Sequence, residues 1–288
     1  SPETIATTIP NRFFGTPGQP PTLRVVPTKM RMDMHMFGAM YAPSDNLTLM
    51  AMLPLLDKSM EHVTFAGGMG TTKLGTFKTR AKGIGDVSLT GLYNLYNNGT
   101  TKIHFNGGIS APTGSITKKD DILTPMNARP NLRLPYAMQL GTGTWDLLPG
   151  ITIQSRNGNF TYGAQYSARF HLGTNDEGYS FGDKHELTGW VTYQWAPWIS
   201  TSLRLIGSTR QDIDGIDSNI VAPVQTADPE NYGGERLDLA LGVNLMGQQG
   251  ALEGHRLAFE FGIPLYQDLN GPQMETDYTF TIGWQKAF

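Results

Sequence analysis

The chain has 288 residues, of which 16% are charged, with a net charge of −3 and no cysteine. This excludes a disulfide scaffold, thiolate metal sites and cysteine nucleophiles, and leaves no electrostatic case for nucleic acid as a partner. No run of ~18 apolar residues occurs, which excludes a membrane-crossing helix; low charge, 34 glycines and 10% aromatics instead suit hydrophobicity spread thinly over alternating strands.

The first 27 residues carry Pro2, Pro10, Pro17, Pro20 and Pro21, and proline lacks the N–H that a strand ladder needs. They are predicted to form an irregular N-terminal segment or outer loop, with the barrel domain over 28–288. The chain does not begin with Met and shows no leader, so a processed or truncated chain is expected.

Strands are predicted near 28–42, 46–56, 84–96, 101–111, 144–155, 160–172, 185–195, 198–208, 235–246, 255–266 and 277–288, because side chains in a strand alternate between two faces. Phe160, Tyr162, Ala164, Tyr166, Ala168 and Phe170, for example, alternate with Thr161, Gly163, Gln165, Ser167 and Arg169. Leu237, Leu239, Leu241 and Val243 alternate with Arg236, Asp238, Ala240 and Gly242, and Tyr278, Phe280, Ile282 and Trp284 with Thr279, Thr281 and Gly283.

A water-soluble antiparallel sandwich alternates too. Three features favour a bilayer. The apolar stripes approach the ~9–11 residues of a tilted membrane strand. Aromatics such as Trp145, Trp195, Trp198, Tyr266, Trp284 and Phe288 gather at strand ends, as interfacial girdles do. Short connections (43–46, 97–100, 156–159, 196–198, 247–250) alternate with long ones (58–83, 112–143, 173–184, 209–233, 267–276). Asn98-Gly99 and Asn157-Gly158 are hairpin dipeptides, since both residues accept positive φ.

The fold class expected is therefore all-β, a transmembrane antiparallel up-and-down barrel of about twelve strands in a bacterial outer membrane. Eleven strands are identified, and an open edge cannot face lipid. The twelfth is expected ahead of Ser1, with Ile5–Phe14 or Leu23–Val26 as weaker alternatives.

Met30, Met32, Met34, Met36 and Met40 share one face of the first strand, and Met50 and Met52 continue it on the second. Lys29, Arg31, Asp33 and His35 occupy the other face, and a Lys or Arg facing lipid costs ~2–4 kcal/mol at the midplane. The methionines are therefore expected against lipid and the charges in the lumen. The lumen-lining set inferred in this way is Arg31, Asp33, His35, Lys102, His104, Asp146, Arg169, His171, Glu186, Arg204, Arg236, Asp238, Arg256 and Glu260. The alternative is a soft-metal pathway, copper for instance, built from Met30, Met32, Met34, Met36 and His35.

No GxSxG, HExxH or P-loop motif is present, so no enzyme, catalytic residue or cofactor is expected, although an Asp/His pair such as Asp146 and His171 could arise in the lumen or among the loops. The stretch Met34–Leu55 carries Tyr41, Ser44, Asp45, Asn46, Leu47, Thr48, Leu49 and Pro54 in a strand–hairpin–strand pattern. With Gly83-Ile84-Gly85-Asp86 and Leu140-Gly141-Thr142-Gly143-Thr144-Trp145-Asp146, it resembles the meta-pathway phenol-degradation-like outer-membrane transporters. Ala42 stands where that family often has Gly.

The resemblance implies a barrel passing small solutes, aromatic or hydrophobic ones included, and it carries over no substrate-binding residue. The expected function is a passive channel, with soft-metal handling or a plugged, partner-binding barrel as alternatives. Expected partners are outer-membrane lipid, a small-molecule solute and the barrel-assembly machinery, read through a C-terminal strand ending at Phe288.

Overall fold

The computed structural model describes residues 23–68, 72–220 and 224–287. One antiparallel sheet builds the wall. Its strands are β1 (Val25–Ser44), β2 (Leu47–Phe65), β3 (Lys73–Ile84), β4 (Val87–Asn97), β5 (Thr101–Ala111), β8 (Trp145–Leu147), β9 (Gly150–Asn157), β10 (Phe160–Leu172), β12 (Lys184–Ala196), β13 (Ile199–Arg210), β15 (Gly234–Met246), β16 (His255–Leu269) and β17 (Thr279–Lys286). β3 and β4 both pair with β2, and β8 and β9 both pair with β5 and β10, so each couple is one interrupted strand. The wall thus has eleven positions in chain order among the described residues.

The expected strands are all present, and several reach further than predicted. β2 and β3 continue through the region 58–83 expected as a long loop, and β16 runs on to Leu269. These extensions rise above the apolar belt, where water lies on both sides and alternation of greasy with polar residues is no longer required.

Paired residues point to the same side of a sheet, so the register identifies the two faces. One face carries Ala39, Ala51, Leu89, Ile109, Leu147 and Phe170 in a continuous row. Further round, Val191, Leu203, Leu241, Phe261 and Phe280 form another such row. Leu89, Leu241, Phe261 and Phe280 are all about half exposed. A continuous exposed apolar surface of this kind marks contact with lipid. Exposed Trp145 and Tyr266 near one rim and Trp195, Trp198 and Trp284 near the other frame it, as the sequence predicts.

The short connections join the strands at one rim. Gly99 (φ 85°) and Gly158 (φ 56°) take positive φ, whereas Asn98 and Asn157 do not, so the hairpin expectation is met at the glycines alone. The opposite rim carries the long connections. There a hairpin of β6 (Lys119–Asp121) and β7 (Asn131–Arg133) leads into a 3-10 turn at Tyr136–Met138, while β11 (Tyr179–Ser180) pairs with β14 (Asp214–Gly215).

Among the described residues no ladder joins β1 to β17, although Arg31 on β1 lies close enough to Tyr278 to interact electrostatically. Leu23–Val26 does not form a separate strand; Val25 and Val26 open β1, paired with Thr64 and Val63. The segment Ile5–Phe14, the N-terminal 22 residues generally and Phe288 lie outside the described residues.

Candidate functional site: the inner wall and its cap

The inner face follows from the same register. Gly38, Met52, Ser88, Ser110, Asp146 and His171 form one inward row across six wall positions. Met30, Met32, Met34, Met36 and Met40 share the parity of Gly38, and Met50 that of Met52. The methionine stripe therefore lines the lumen and does not face lipid. Met30 sits opposite Met60, Met40 opposite Met50, and Met30 packs against the buried group of Leu56, Met60, Leu134 and Met138.

Arg31, Asp33 and His35 consequently point outward, contrary to the sequence expectation. Arg31 and Asp33 pair with each other at 2.9 Å with side chains 72% and 46% exposed. The lipid penalty does not apply to them, because they stand above the belt. On the same outward face and level, Asp57 pairs with Arg80 and Lys82, and Glu61 with Lys78. Lower down β1, that face turns apolar with Phe37 and Tyr41. His35, opposite Leu55 on this outer face, cannot join the methionines in one metal site.

The remaining predicted lumen residues do share the inner face. Lys102, beside Gln154, and His104, beside Thr152, sit on β5. Arg169 and His171 lie on β10, Glu186 on β12 and Arg204 on β13, while Arg236 and Asp238 lie on β15 and Arg256 and Glu260 on β16. Arg204 bonds to Glu260, Arg236 to Asp238 at 2.8 Å, and Arg256 to the Asn244 side chain. Most of these charges are thus already neutralised within the wall.

Two carboxylates anchor the largest loop. Asp86, at the break between β3 and β4, accepts the backbone N–H of Gly114 at 2.9 Å, the N–H of Thr142 at 2.7 Å and the Thr142 hydroxyl at 3.1 Å. A Cβ on Gly141 would stand 2.6 Å from the Gly114 carbonyl oxygen, so only glycine lets the two ends of the loop meet there. Asp146 is fully buried; it accepts from the Thr144 hydroxyl at 2.7 Å and is paired with His171 Nδ1 at 2.8 Å and Arg169 at 3.5 Å. The Gly-x-Gly-Asp and Gly-Thr-Gly-Thr-Trp-Asp elements are therefore loop anchors.

The anchored loop folds inward. Leu134, Met138 and Leu140 pack on the inward side chains Leu56, Met60 and Ala81, and Lys58 donates to the Ala137 carbonyl at 2.9 Å. A second buried group joins three long loops through Tyr136, Tyr179, Ile213, Ile220 and Ala227. Tyr136 meets Tyr179 and Tyr232 edge to face, and Arg133 bonds to the buried Asp217 at 2.8 Å and to Glu177 at 3.2 Å. Burial pushes the phenols of Tyr136, Tyr179 and Tyr232 above their ordinary pKa. Together these loops cap the lumen at the long-loop rim. Below the cap, a cavity of about 270 Å³ is lined by Asn106, Leu148, Arg169, Lys184 and Glu186 among others. The sequence reading missed the inward fold of 112–143, although the loop carries Ile116, Ile122, Leu123, Leu132, Leu134, Tyr136, Met138 and Leu140, more apolar residues than a solvated loop needs.

No protein-family model and no curated protein matches this sequence. Among solved structures, the COG4313 outer membrane channel from Pseudomonas putida F1 is similar, with a TM-score of 0.56 and 16% identity over 88% of this chain and 81% of that one. OprD from Pseudomonas aeruginosa aligns with a TM-score of 0.36 and 10% identity over 85% and 66% of the two chains. OmpT of Vibrio cholerae aligns with a TM-score of 0.39 and 12% identity over 88% and 98% in its loop L8 deletion form.

The exclusion of enzymatic activity drawn from missing motifs is corrected. The wall joins Asp146 to His171 Nδ1 at 2.8 Å and to the Thr144 hydroxyl at 2.7 Å, a cluster that no linear motif announces. This cluster assigns no reaction, but the lack of a motif no longer serves to exclude one. The all-β wall, its lipid-facing belt and the likeness to the Pseudomonas putida F1 barrel make this chain an integral outer-membrane β-barrel.

Proposed function

We propose that the chain is a passive outer-membrane channel for small solutes with an apolar body, aromatic compounds among them. The observation that carries this reading is the unequal inner wall. Met30, Met34, Met40, Met50 and Met52 line β1 and β2, whereas Arg169, Lys184, Arg204 and Arg236 line β10 to β15. Thioether side chains are flexible and polarizable and adapt to varied apolar surfaces. The similar Pseudomonas putida F1 protein is an outer membrane channel, and the motif resemblance to the phenol-degradation-like transporters supports the same solute class. In this reading the short turns face the periplasm and the capped rim faces outside, and the C-terminal strand engages the assembly machinery.

Liposome swelling and planar-bilayer conductance test the reading. The expected result is step conductance and faster entry of phenol-sized solutes than of sugars. Absence of both conductance and solute flux would leave a plugged barrel and overturn it.

The inward turn of the methionines also favours a second reading, soft-metal handling, since thioethers select Cu(I). Cu(I) titration of the purified protein, with Met→Leu at 30, 32, 34 and 36, separates the two: metal binding lost in the variant supports the second.

A further inference from the structure

Three cations stand side by side on neighbouring strands. Arg169 on β10 pairs in register with Lys184 on β12, and Lys184 with Arg210 on β13. All three therefore point to the same side, the lumen, at one level just under the cap. Like charges directly opposite each other in a sheet are destabilising, so this row needs a reason.

The wall neutralises only part of it. Lys184 holds Glu186 at 2.8 Å, and Arg169 reaches Asp146 at 3.5 Å. Asp146 is already engaged by Thr144 and His171. Among the described residues no carboxylate lies within ion-pair distance of Arg210, whose side chain is exposed. Further positive charge surrounds it. Arg236, one level down on β15 and bound to Asp238, and Arg169 both act on Arg210 electrostatically. Lys58, on the far wall, is close enough to feel Arg210 as well.

Arg169 and Lys184 also line the 270 Å³ cavity, together with the apolar Leu148 and Pro149. In the wall order β12 stands six positions from β1, so the row faces the methionine side across the lumen.

We propose that Arg169, Lys184 and Arg210 bind the carboxylate of a small amphipathic solute whose apolar body lies toward the cavity and the methionine wall. Guanidinium groups match carboxylates bidentately, and rings of Arg and Lys select anions in pores. The stability lost to the like-charge row is recovered when the anion arrives, a pattern expected where local rules are broken for function. This deepens the channel reading by adding a solute class, and it can fail separately.

The test uses the full chain with benzoate and its neutral isostere benzyl alcohol. Isothermal titration of the detergent-solubilised protein reads binding; planar bilayers under a KCl gradient read selectivity. The expected results are benzoate binding without benzyl alcohol binding, and a reversal potential on the anion side. Arg210→Gln is expected to weaken benzoate about tenfold or more, the loss of one charge-assisted contact, while Arg210→Lys keeps most of it. Equal behaviour of benzoate and benzyl alcohol, or unchanged benzoate binding in Arg210→Gln, overturns the site and leaves the channel standing. Benzoate binding that needs Arg210 in a protein without any conductance supports the site and overturns the channel.

Discussion

The two halves of β1 obey the same alternation in different solvents. From His35 to Tyr41 the outward residues end in exposed Phe37 and Tyr41; from Lys29 to Asp33 the outward residues are charged. Inside, methionines run through both halves. Which face is greasier therefore does not reveal orientation unless the level of the bilayer is also known. A penalty for charge in lipid holds only where there is lipid, and β1, with 20 residues, is longer than the belt.

Substitutions at the two levels should break or sharpen that contrast. The largest effect is expected in the cap. Leu134 is fully buried against Met60 and Leu56, so Leu134→Ala should cost about 2–5 kcal/mol. If the inward loop occludes the lumen, the same variant should also raise single-channel conductance. Lower thermal stability with unchanged conductance would show that solute passes beside the cap.

Charge in the belt comes next. Leu241 is 59% exposed on the outward face, and Leu241→Arg should cost about 2–4 kcal/mol near mid-bilayer. Arg31→Leu, on the same face above the belt, should leave stability unchanged. Denaturant titration in lipid vesicles reads both, and equal effects would mean that the belt extends to Arg31.

Anchor removal should act more locally. Asp86→Ala leaves the Gly114 and Thr142 donors without their acceptor, at about 1–3 kcal/mol for each group left buried and unpaired. Hydrogen exchange should then rise in 112–143 and stay unchanged in β15 and β16. Exchange rising evenly round the wall would mean that Asp86 supports the strand break and not the loop.

These contrasts also explain what the sequence could and could not reveal. Strands such as 160–172 and 235–246 are legible because lipid outside and water inside enforce a period of two along their whole length. Asp146 and His171 were legible as inward neighbours for the same reason. The tops of β2 and β3 were not, since Lys58, Met60, His62 and Thr64 alternate inward with Asp57, Ser59 and Glu61 outward, and no continuous apolar stripe is left to follow. The methionine stripe was misoriented because its outward partners were judged as if all lay in lipid. Arg210 escaped notice because it ends its strand next to a long polar loop, and only the register sets it beside Lys184.

The smallest effect concerns pH and belongs to the cap. Tyr136, Tyr179 and Tyr232 are held neutral by burial, so their folded pKa values lie above the unfolded ones. A group raised in this way contributes stability in full below its unfolded pKa of about 10 and loses it as pH climbs toward the folded value. The cap should therefore loosen on the alkaline side of about pH 10 and be unaffected between pH 6 and 9. Tyr232 donates to the Thr226 carbonyl and accepts from the Ala137 N–H, whereas the Tyr179 hydroxyl has no hydrogen bond of good geometry and only a weaker contact with the Asn175 side chain. Tyr179→Phe should thus remove part of the alkaline sensitivity at little cost in stability, while Tyr232→Phe should also weaken the cap at neutral pH. Conductance noise recorded against pH in the two variants distinguishes them, and an alkaline limb that survives when Tyr136, Tyr179 and Tyr232 are all changed to Phe would place the titrating group elsewhere.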